Sequence, residues 1–318
     1  MILTITLNPA IDKVYFVKTL EKGEVHRPVD MVATAGGKGL NVSRVAKIVG
    51  GNIAATGFLG GGNGDFIHHK LTELGIEDRF ISIEEETRIC INITDLADLS
   101  STEVLEIGPS IATEEAQRFL MALNTHLDGV TVLTISGSLP KGLSQDYYYK
   151  IIQLAKMRHI KVLLDSSGEA FLQGIKAKPF LIKPNKDEIK SLYSDDLISQ
   201  DDYIRAIQFL MQSGIEMPII SMGKEGSIAG YKGKIIQAKF PALKVINTVG
   251  SGDSFLAGCA VALSKNATIN FEEVIRFGTA CGCANTLNAQ TGVVKVEEVD
   301  SIYQQVELIT ILEGEKQC

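Results

Sequence analysis

The sequence predicts an α/β fold: a mostly parallel sheet flanked by helices, with a small β-sheet lid standing off it. Short apolar runs bounded by turn residues recur at Ile2–Leu7, Val130–Ser136, Lys161–Asp165, Phe180–Lys183 and Pro218–Ser221. Helical patterns lie between most of them, and strands alternating with helices imply right-handed βαβ units with both sheet faces covered. Two more polar stretches, Val14–Asp30 and Arg88–Ile107, read as strands without crossover helices. They suit a small antiparallel sheet, and equally a pair of surface hairpins.

In chain order, MILTITLNPA has no basic stretch followed by a long apolar one, so it reads as a first strand and not as a signal peptide. Val42, Val45, Ala46 and Val49 then fall on one helical stripe. The run Gly60–Gly64 lacks strand–GxGxxG–helix spacing and reads as a tight strand-to-helix connection. Glu114–Leu127 places Phe119, Leu120, Leu123 and Leu127 on one stripe, and Ser144–Met157 and Asp202–Met211 behave similarly. Tyr147–Tyr149 read as helix packing and surface. With no internal repeat or flexible linker, residues 1–318 read as a single domain with lid strands inserted at about 14–30 and 88–107.

Composition narrows the partners. The chain has 318 residues, 45% apolar, which is enough for a large core. No run of about 18 apolar residues lacks a charge, so no membrane span is expected. A net charge of −7 argues against nucleic acid as a partner, because phosphate backbones need clustered cations. The five cysteines, Cys90, Cys259, Cys281, Cys283 and Cys318, are odd in number and irregularly spaced, which argues against a disulfide framework and for the cytoplasm. Cys281 and Cys283, two apart in a helical stretch, point to different faces. The five histidines form no metal-binding pattern.

Three segments carry chemistry. The first is Asn247-Thr248-Val249-Gly250-Ser251-Gly252-Asp253-Ser254 ahead of an apolar run. A helix opening at these glycines would aim unpaired N–H groups and its positive dipole end at an anion, with Asp253 beside it as a base. Taken alone, it also describes an ordinary helix N-terminus. The second, Ala35-Gly36-Gly37-Lys38-Gly39-Leu40-Asn41-Val42, is not a phosphate-binding GxxxxGK[ST] loop. It offers close backbone approach, one ammonium and one amide, suited to sugar hydroxyls and a phosphate. The third is Lys183-Pro184-Asn185-Lys186-Asp187-Glu188 at a strand's carboxyl end, where ligands collect in open α/β sheets. Asn185 and Glu188 offer oxygen ligands suited to magnesium.

In this order the three segments resemble the phosphofructokinase B family of the ribokinase-like superfamily, along essentially the whole chain. The opening Thr4–Asp12 and the segment Ile135–Pro140 resemble the branch containing 1-phosphofructokinase and tagatose-6-phosphate kinase. So do Asp165-Ser166-Ser167 and Lys183-Pro184-Asn185.

The resemblance implies a ribokinase-like kinase using ATP and Mg2+. Asp253 would be the base and Gly250, Ser251 and Gly252 the anion hole. Asp12, Gly37, Lys38 and Asn41 would face the sugar, and Arg88 with Arg27 its phosphate; Ser136 and Gly137 would line the cleft. Lys183, Asn185, Ser221, Gly223, Gly226, Thr248 and Asn288 match nucleotide-side positions, and Asn185 with Glu188 the NxxE magnesium motif. One departure is Asn247-Thr248-Val249, where simple sugar kinases have Asp-Thr-Thr. It weakens a neutral-sugar substrate and the family's monovalent cation site. The expected reaction converts fructose 1-phosphate to fructose 1,6-bisphosphate, with tagatose 6-phosphate as the alternative and a non-catalytic sugar-phosphate sensor the remoter one. Ile89, Ile91 and Ile93 on the lid would suit a homodimer.

Overall fold

The computed structural model describes residues 1–193, 199–265 and 268–314; Cys318 lies outside them. The first strand, β1 (Ile2–Thr6), is wholly buried. It leads into β2 (Ala10–Val17), β3 (Asp30–Gly36), helix α1 (Lys38–Ile48), β4 (Ile53–Leu59) and α2 (Gly61–Glu73). Short β5 (Glu77–Asp78) and β6 (Ile81–Ser82) precede β7 (Arg88–Asp95) and β8 (Ser101–Leu105). Alternation then sets in: α3 (Thr113–His126), β9 (Val132–Ser136), α4 (Tyr147–Lys156), β10 (Lys161–Asp165), α5 (Gly168–Ile175), β11 (Leu181–Ile182), α6 (Gln200–Gln212) and β12 (Met217–Ser221). The chain closes with β13 (Ser227–Tyr231), β14 (Lys234–Lys239), α7 (Ser251–Lys265), α8 (Phe271–Thr286), α9 (Val296–Gln305) and β15 (Glu307–Leu312).

Among the described residues eleven strands form one sheet in the order β15-β14-β13-β12-β11-β10-β9-β1-β4-β5, with β6 also on β4. From β12 to β5 the pairings are parallel; β13, β14 and β15 add antiparallel strands at one edge. The period-two pattern of a strand explains the two cores. Leu3, Ile5 and Leu7 point toward α3, α4, α5 and α6, while Ile2 joins the opposite layer with α1, α2, α7, α8 and α9. The chain leaves β1 toward β4 on one side and later places β9 on the other, so the strand order reverses at β1. Such a reversal opens a crevice at the carboxyl ends of the strands.

The second sheet has the order β3-β2-β7-β8. It is not purely antiparallel, as the sequence suggested: its central strands β2 and β7 pair in parallel, Ala10 beside Arg88 and Asp12 beside Cys90. Its strands also reach further toward the main sheet than expected, starting at Ala10 and ending at Gly36, because the small apolar residues at those roots are buried. Several helical expectations hold closely. Tyr147 and Tyr148 are buried and Tyr149 is 37% exposed, whereas Leu120 and Val49 are only partly buried. The Gly60–Gly64 run is the first turn of α2 with its entry residue.

Candidate active site

Helix α7 begins where the chain needs a left-handed residue: Gly250 has φ +80°, and a Cβ there would lie 2.6 Å from Thr291 Cγ2. The helix then runs inward, with Asp253 through Leu263 all buried. Its opening amides are unequally disposed. Ser251 N–H donates to Thr248 O (3.2 Å) and Ser254 N–H to Gly250 O (2.9 Å). Among the described residues the Gly252 and Asp253 amides find no backbone acceptor, which leaves these two at the positive end of the helix dipole.

The Asp253 carboxylate, 6% exposed, accepts a 2.9 Å hydrogen bond from Asn41 Nδ2 on α1. Burial pushes its pKa up to about 7, and Asp165 adds to this; the Asn41 hydrogen bond, Lys38 and Lys183 pull it back. Asp165, at the end of β10, holds Lys183 at 3.1 Å and Lys38 at 4.0 Å. Both partners of the inner pair are nearly inaccessible, and the Lys183 ammonium lies just beneath Gly252, 3.1 Å from where a Cβ would be. Burial works against its charge, but Asp165 more than compensates, so its pKa is raised.

On the lid side, Asp12 on β2 lies over Gly36 so closely that any Cβ at Gly36 would overlap its carboxylate. Burial raises the Asp12 pKa, opposed by Arg44, the Gly37 amide and Arg88. Arg88, opening β7, donates to Glu106 O (2.9 Å) and Asn8 O (3.0 Å). Arg88 Nε, Asn8 Oδ1 and Ser136 Oγ are buried without protein partners among the described residues. Gly137, at φ +99°, is pinned through its carbonyl by Tyr148 Oη (3.0 Å) and Ser166 Oγ (2.8 Å).

Glu188 opens a single 3-10 turn, Glu188–Ser191, and Asn185 stands three residues ahead of it. Asn185 Oδ1 accepts from the Asp187 and Glu188 amides (2.8 Å each), and Glu188 Oε2 accepts from Asn185 N–H (2.9 Å). The pair caps its own turn, and Glu188 Oε1 makes no protein hydrogen bond among the described residues. This hard-oxygen pair suits a magnesium ion held through water and nucleotide phosphates. Among the described residues no cluster of three or more His, Cys, Asp or Glu could hold a metal alone. Ser221 lies alongside, bridged to Asn185, with Gly223 and Gly226 in the following turn.

Thus Asp253, Gly252, Asn41, Lys38, Lys183 and Gly137 come together, with Asp12, Gly37 and Arg88 at the lid's root. Other expected residues stand apart. Arg27 is exposed on the segment between β2 and β3, and Asn288 Nδ2 is taken by Ala284 O and Glu298 (2.9 and 3.0 Å), whereas Thr248, also exposed, belongs to the α7 entrance through its carbonyl, which accepts from Ser251 N–H.

Three polar residues that the sequence reading gave no role turn out to be central: Asp165, Arg44 and Asn285. Asn285, fully buried on α8, donates to Val249 O (2.8 Å) and accepts from Gly292 N–H (2.9 Å) and Ser254 Oγ (3.1 Å). It ties the loop before α7, α7 itself and the loop after α8 into one unit. Its only signal in sequence is a polar residue inside an otherwise apolar helical stretch.

Residues 5–297 match the family described as pfkB family carbohydrate kinase. A curated tagatose-6-phosphate kinase from Staphylococcus epidermidis is 38% identical over 314 residues, 98% of this chain and 100% of that protein. The structure of phosphofructokinase-2 from Escherichia coli in complex with substrates and products superposes with TM-score 0.88 at 28% identity, covering 95% of this chain and 98% of that one. The same E. coli protein is known in a tetrameric inhibited form, at TM-score 0.88 and 27% identity over the same shares of the two chains.

Proposed function

The chain belongs to the pfkB family of carbohydrate kinases, and from that premise we propose that it moves the γ-phosphoryl group of ATP onto the free primary hydroxyl of a ketohexose phosphate. Its membership already makes it a phosphotransferase acting on a sugar hydroxyl. The observation carrying the finer reading is the buried Asp253 carboxylate at the mouth of α7, flanked by two lysines and two open amides.

Phosphoryl transfer asks mainly for positioning and charge stabilisation. Asp12, Lys38, Asn41, Ser136 and Gly137 orient the sugar, and Arg88 and Lys38 take its phosphate dianion. Asp253 accepts the proton of the attacking hydroxyl. The Gly252 and Asp253 amides at the α7 dipole, with Gly250 shaping the turn, stabilise charge on the migrating group. Lys183, Ser221, Gly223 and Gly226 lie on the nucleotide side. Asn185 and Glu188 would hold Mg2+, which supplies charge neutralisation to the nucleotide phosphates. For a monovalent cation the neutral Asn247, whose amide donates to Ala289 O and Thr291 Oγ1 (3.1 and 3.3 Å), is a weaker partner than an acid, whereas the E. coli relative, whose structure in complex with potassium is 27% identical, favours one. Closure of the four-stranded lid shields the site from water.

Fructose 1-phosphate is the leading substrate. Tagatose 6-phosphate is the second reading, favoured by the S. epidermidis relative; its sugar differs from fructose by the epimeric hydroxyl at C4, which one hydrogen bond can discriminate, and it carries its phosphate at the other end. Comparing kcat/KM for fructose 1-phosphate, fructose 6-phosphate and tagatose 6-phosphate decides among them, and a best substrate among unphosphorylated sugars would overturn the class. The chain works as one kinase domain, with free cysteines at Cys90, Cys259, Cys281 and Cys283 that suit the reducing cytoplasm. No helix among the described residues is long and apolar enough to cross a membrane. The exposed lid residues Met31, Val104, Leu105 and Ile107 suit pairing with a second copy, more than the half-buried Ile89, Ile91 and Ile93 do.

Gly36→Ala gives a first expected result. The added methyl displaces the Asp12 carboxylate, and misplacement on the scale of 1 Å costs on the order of 10²-fold in kcat/KM for the sugar phosphate. Nucleotide affinity, read by calorimetry, stays within about twofold because the α7 entrance is untouched. Unchanged sugar kinetics would remove Asp12 from the substrate site.

A further inference from the structure

The buried guanidinium of Arg44 is the largest charged group near the site that the mechanism leaves unused. It is 7% exposed, and all four of its acceptors are neutral oxygens. Nη1 donates to Asn41 Oδ1 (3.3 Å), Thr291 O (2.9 Å) and Gly292 O (3.5 Å), and Nη2 donates to Ala35 O. A buried cation bonded only to neutral oxygens is costly, so its charge calls for a use. The charges that act on it are the two carboxylates of the site, Asp12 from β2 and Asp253 from α7.

Asn41 stands between this cation and Asp253. An Asn amide has an accepting end and a donating end, and the two are opposite in sign. With Oδ1 toward Arg44 and Nδ2 toward Asp253, both contacts are favourable; turned around, both are repulsive. The same guanidinium grips Ala35 at the lid's root and the loop at Thr291–Gly292, which Asn285 joins to the α7 entrance.

We propose that Arg44 is the positioning residue of this site: it locks the Asn41 amide in the orientation that donates to Asp253, and ties that lock to the lid root and the loop after α8. The proposal rests on Asp253 being the base. The charged groups facing Asp253 from the packed elements are Asp165 on β10, Lys183 beyond β11 and Lys38 on α1, with Arg44 behind Asn41. Losing the lock removes the hydrogen bond that favours the ionised carboxylate, so the base needs a higher pH to work.

The test follows kcat against pH for Arg44→Gln, Arg44→Lys and Gly292→Ala. Arg44→Gln is expected to move the acid limb of the profile up by about one unit, lowering kcat about tenfold below the limb and much less at pH 8.5. Arg44→Lys keeps the charge but not the fork, so kcat falls several-fold with a smaller displacement of the limb. Gly292→Ala presses on the pair from outside, its methyl 2.9 Å from both Arg44 Nη1 and Asn41 Oδ1, and moves the limb in the same direction. A merely structural arginine would lower thermal stability and leave the limb in place, and that result in the folded variants overturns the proposal. If Arg44→Gln does not fold, the other two variants decide by the same criterion. Asp253→Asn, measured alongside, separates the premise: an acid limb and turnover surviving in that variant sink the base assignment itself, whatever Arg44 does.

Discussion

Asp253→Asn is expected to lower kcat by at least 10²-fold, the lower end of what general-base catalysis contributes, while ATP still binds. The same variant should be the more stable protein at alkaline pH. A carboxyl that ionises near pH 7 when folded, against an ordinary 3.8, keeps a proton that the unfolded chain has released. Stability therefore falls as pH rises through that window, and the whole deficit is present above about pH 7. At roughly 1.4 kcal/mol for each unit of difference it reaches about 4 kcal/mol, as an upper figure. Asparagine removes the charge and keeps an acceptor for Asn41. Thermal unfolding of the ligand-free variant should then occur several degrees higher than wild type at pH 8, with the gain vanishing toward pH 4. Near-wild-type turnover would remove Asp253 from its role. A gain independent of pH would remove the buried charge as its cause.

The second large effect concerns Asp165→Asn. Removing one partner of a buried ion pair costs about 3–5 kcal/mol, because the other charge stays behind; here that charge is Lys183, beneath the α7 entrance. The Lys183 pKa is raised above 10.5, so the pair's contribution is present below that pH and is lost only above it. The loss in unfolding temperature should accordingly persist from pH 6 to 9, shrinking somewhat toward pH 9 because Asp253 then ionises at less cost, in contrast to the gain of Asp253→Asn, which grows with pH. Catalysis responds in the other direction. Asp165 is one of the causes that hold Asp253 protonated, and without it Lys183 and Lys38 act on the base unopposed. The acid limb of kcat moves down, so the ratio of turnover at pH 6 to that at pH 8 rises. An unmoved limb would mean that Asp165 serves only to bury Lys183.

How much of this was readable beforehand follows from the physics of each element. Ile2–Thr6, Val132–Ser136 and Lys161–Asp165 announce themselves because buried parallel strands are near-continuous apolar runs. Strand Ile53–Leu59, equally buried, did not, since its sequence IAATGFL is diluted by Ala, Thr and Gly. The edge strands Ser227–Tyr231, Lys234–Lys239 and Glu307–Leu312 also escaped, the last being half exposed. The parallel pairing of β2 with β7 joins segments far apart in the chain, and no local pattern encodes it.

In the site, glycines and Asp253 were legible because turn geometry and helix starts demand particular residue types. Arg44 was not. It falls between Val42 and Val45 on a helix, where a charge ordinarily belongs to the solvated face. Asp165 ends a strand as any turn-forming acid would, and only the fold reveals Lys183 behind it.

The parallel pairing inside the lid has a further consequence. Because β2 and β7 both depart from the catalytic mouth and run outward side by side, Asp12 and Arg88 sit at the fixed end of a cantilever, two residues apart in register. Bending of the free end leaves their mutual spacing nearly unchanged, while tilting at the base carries both away together. On the reading proposed above, the half that grips the sugar is then assembled or dismantled as a single piece, whereas the α7 entrance keeps its shape. On that same reading, ATP can bind beside an acceptor site that has yet to assemble.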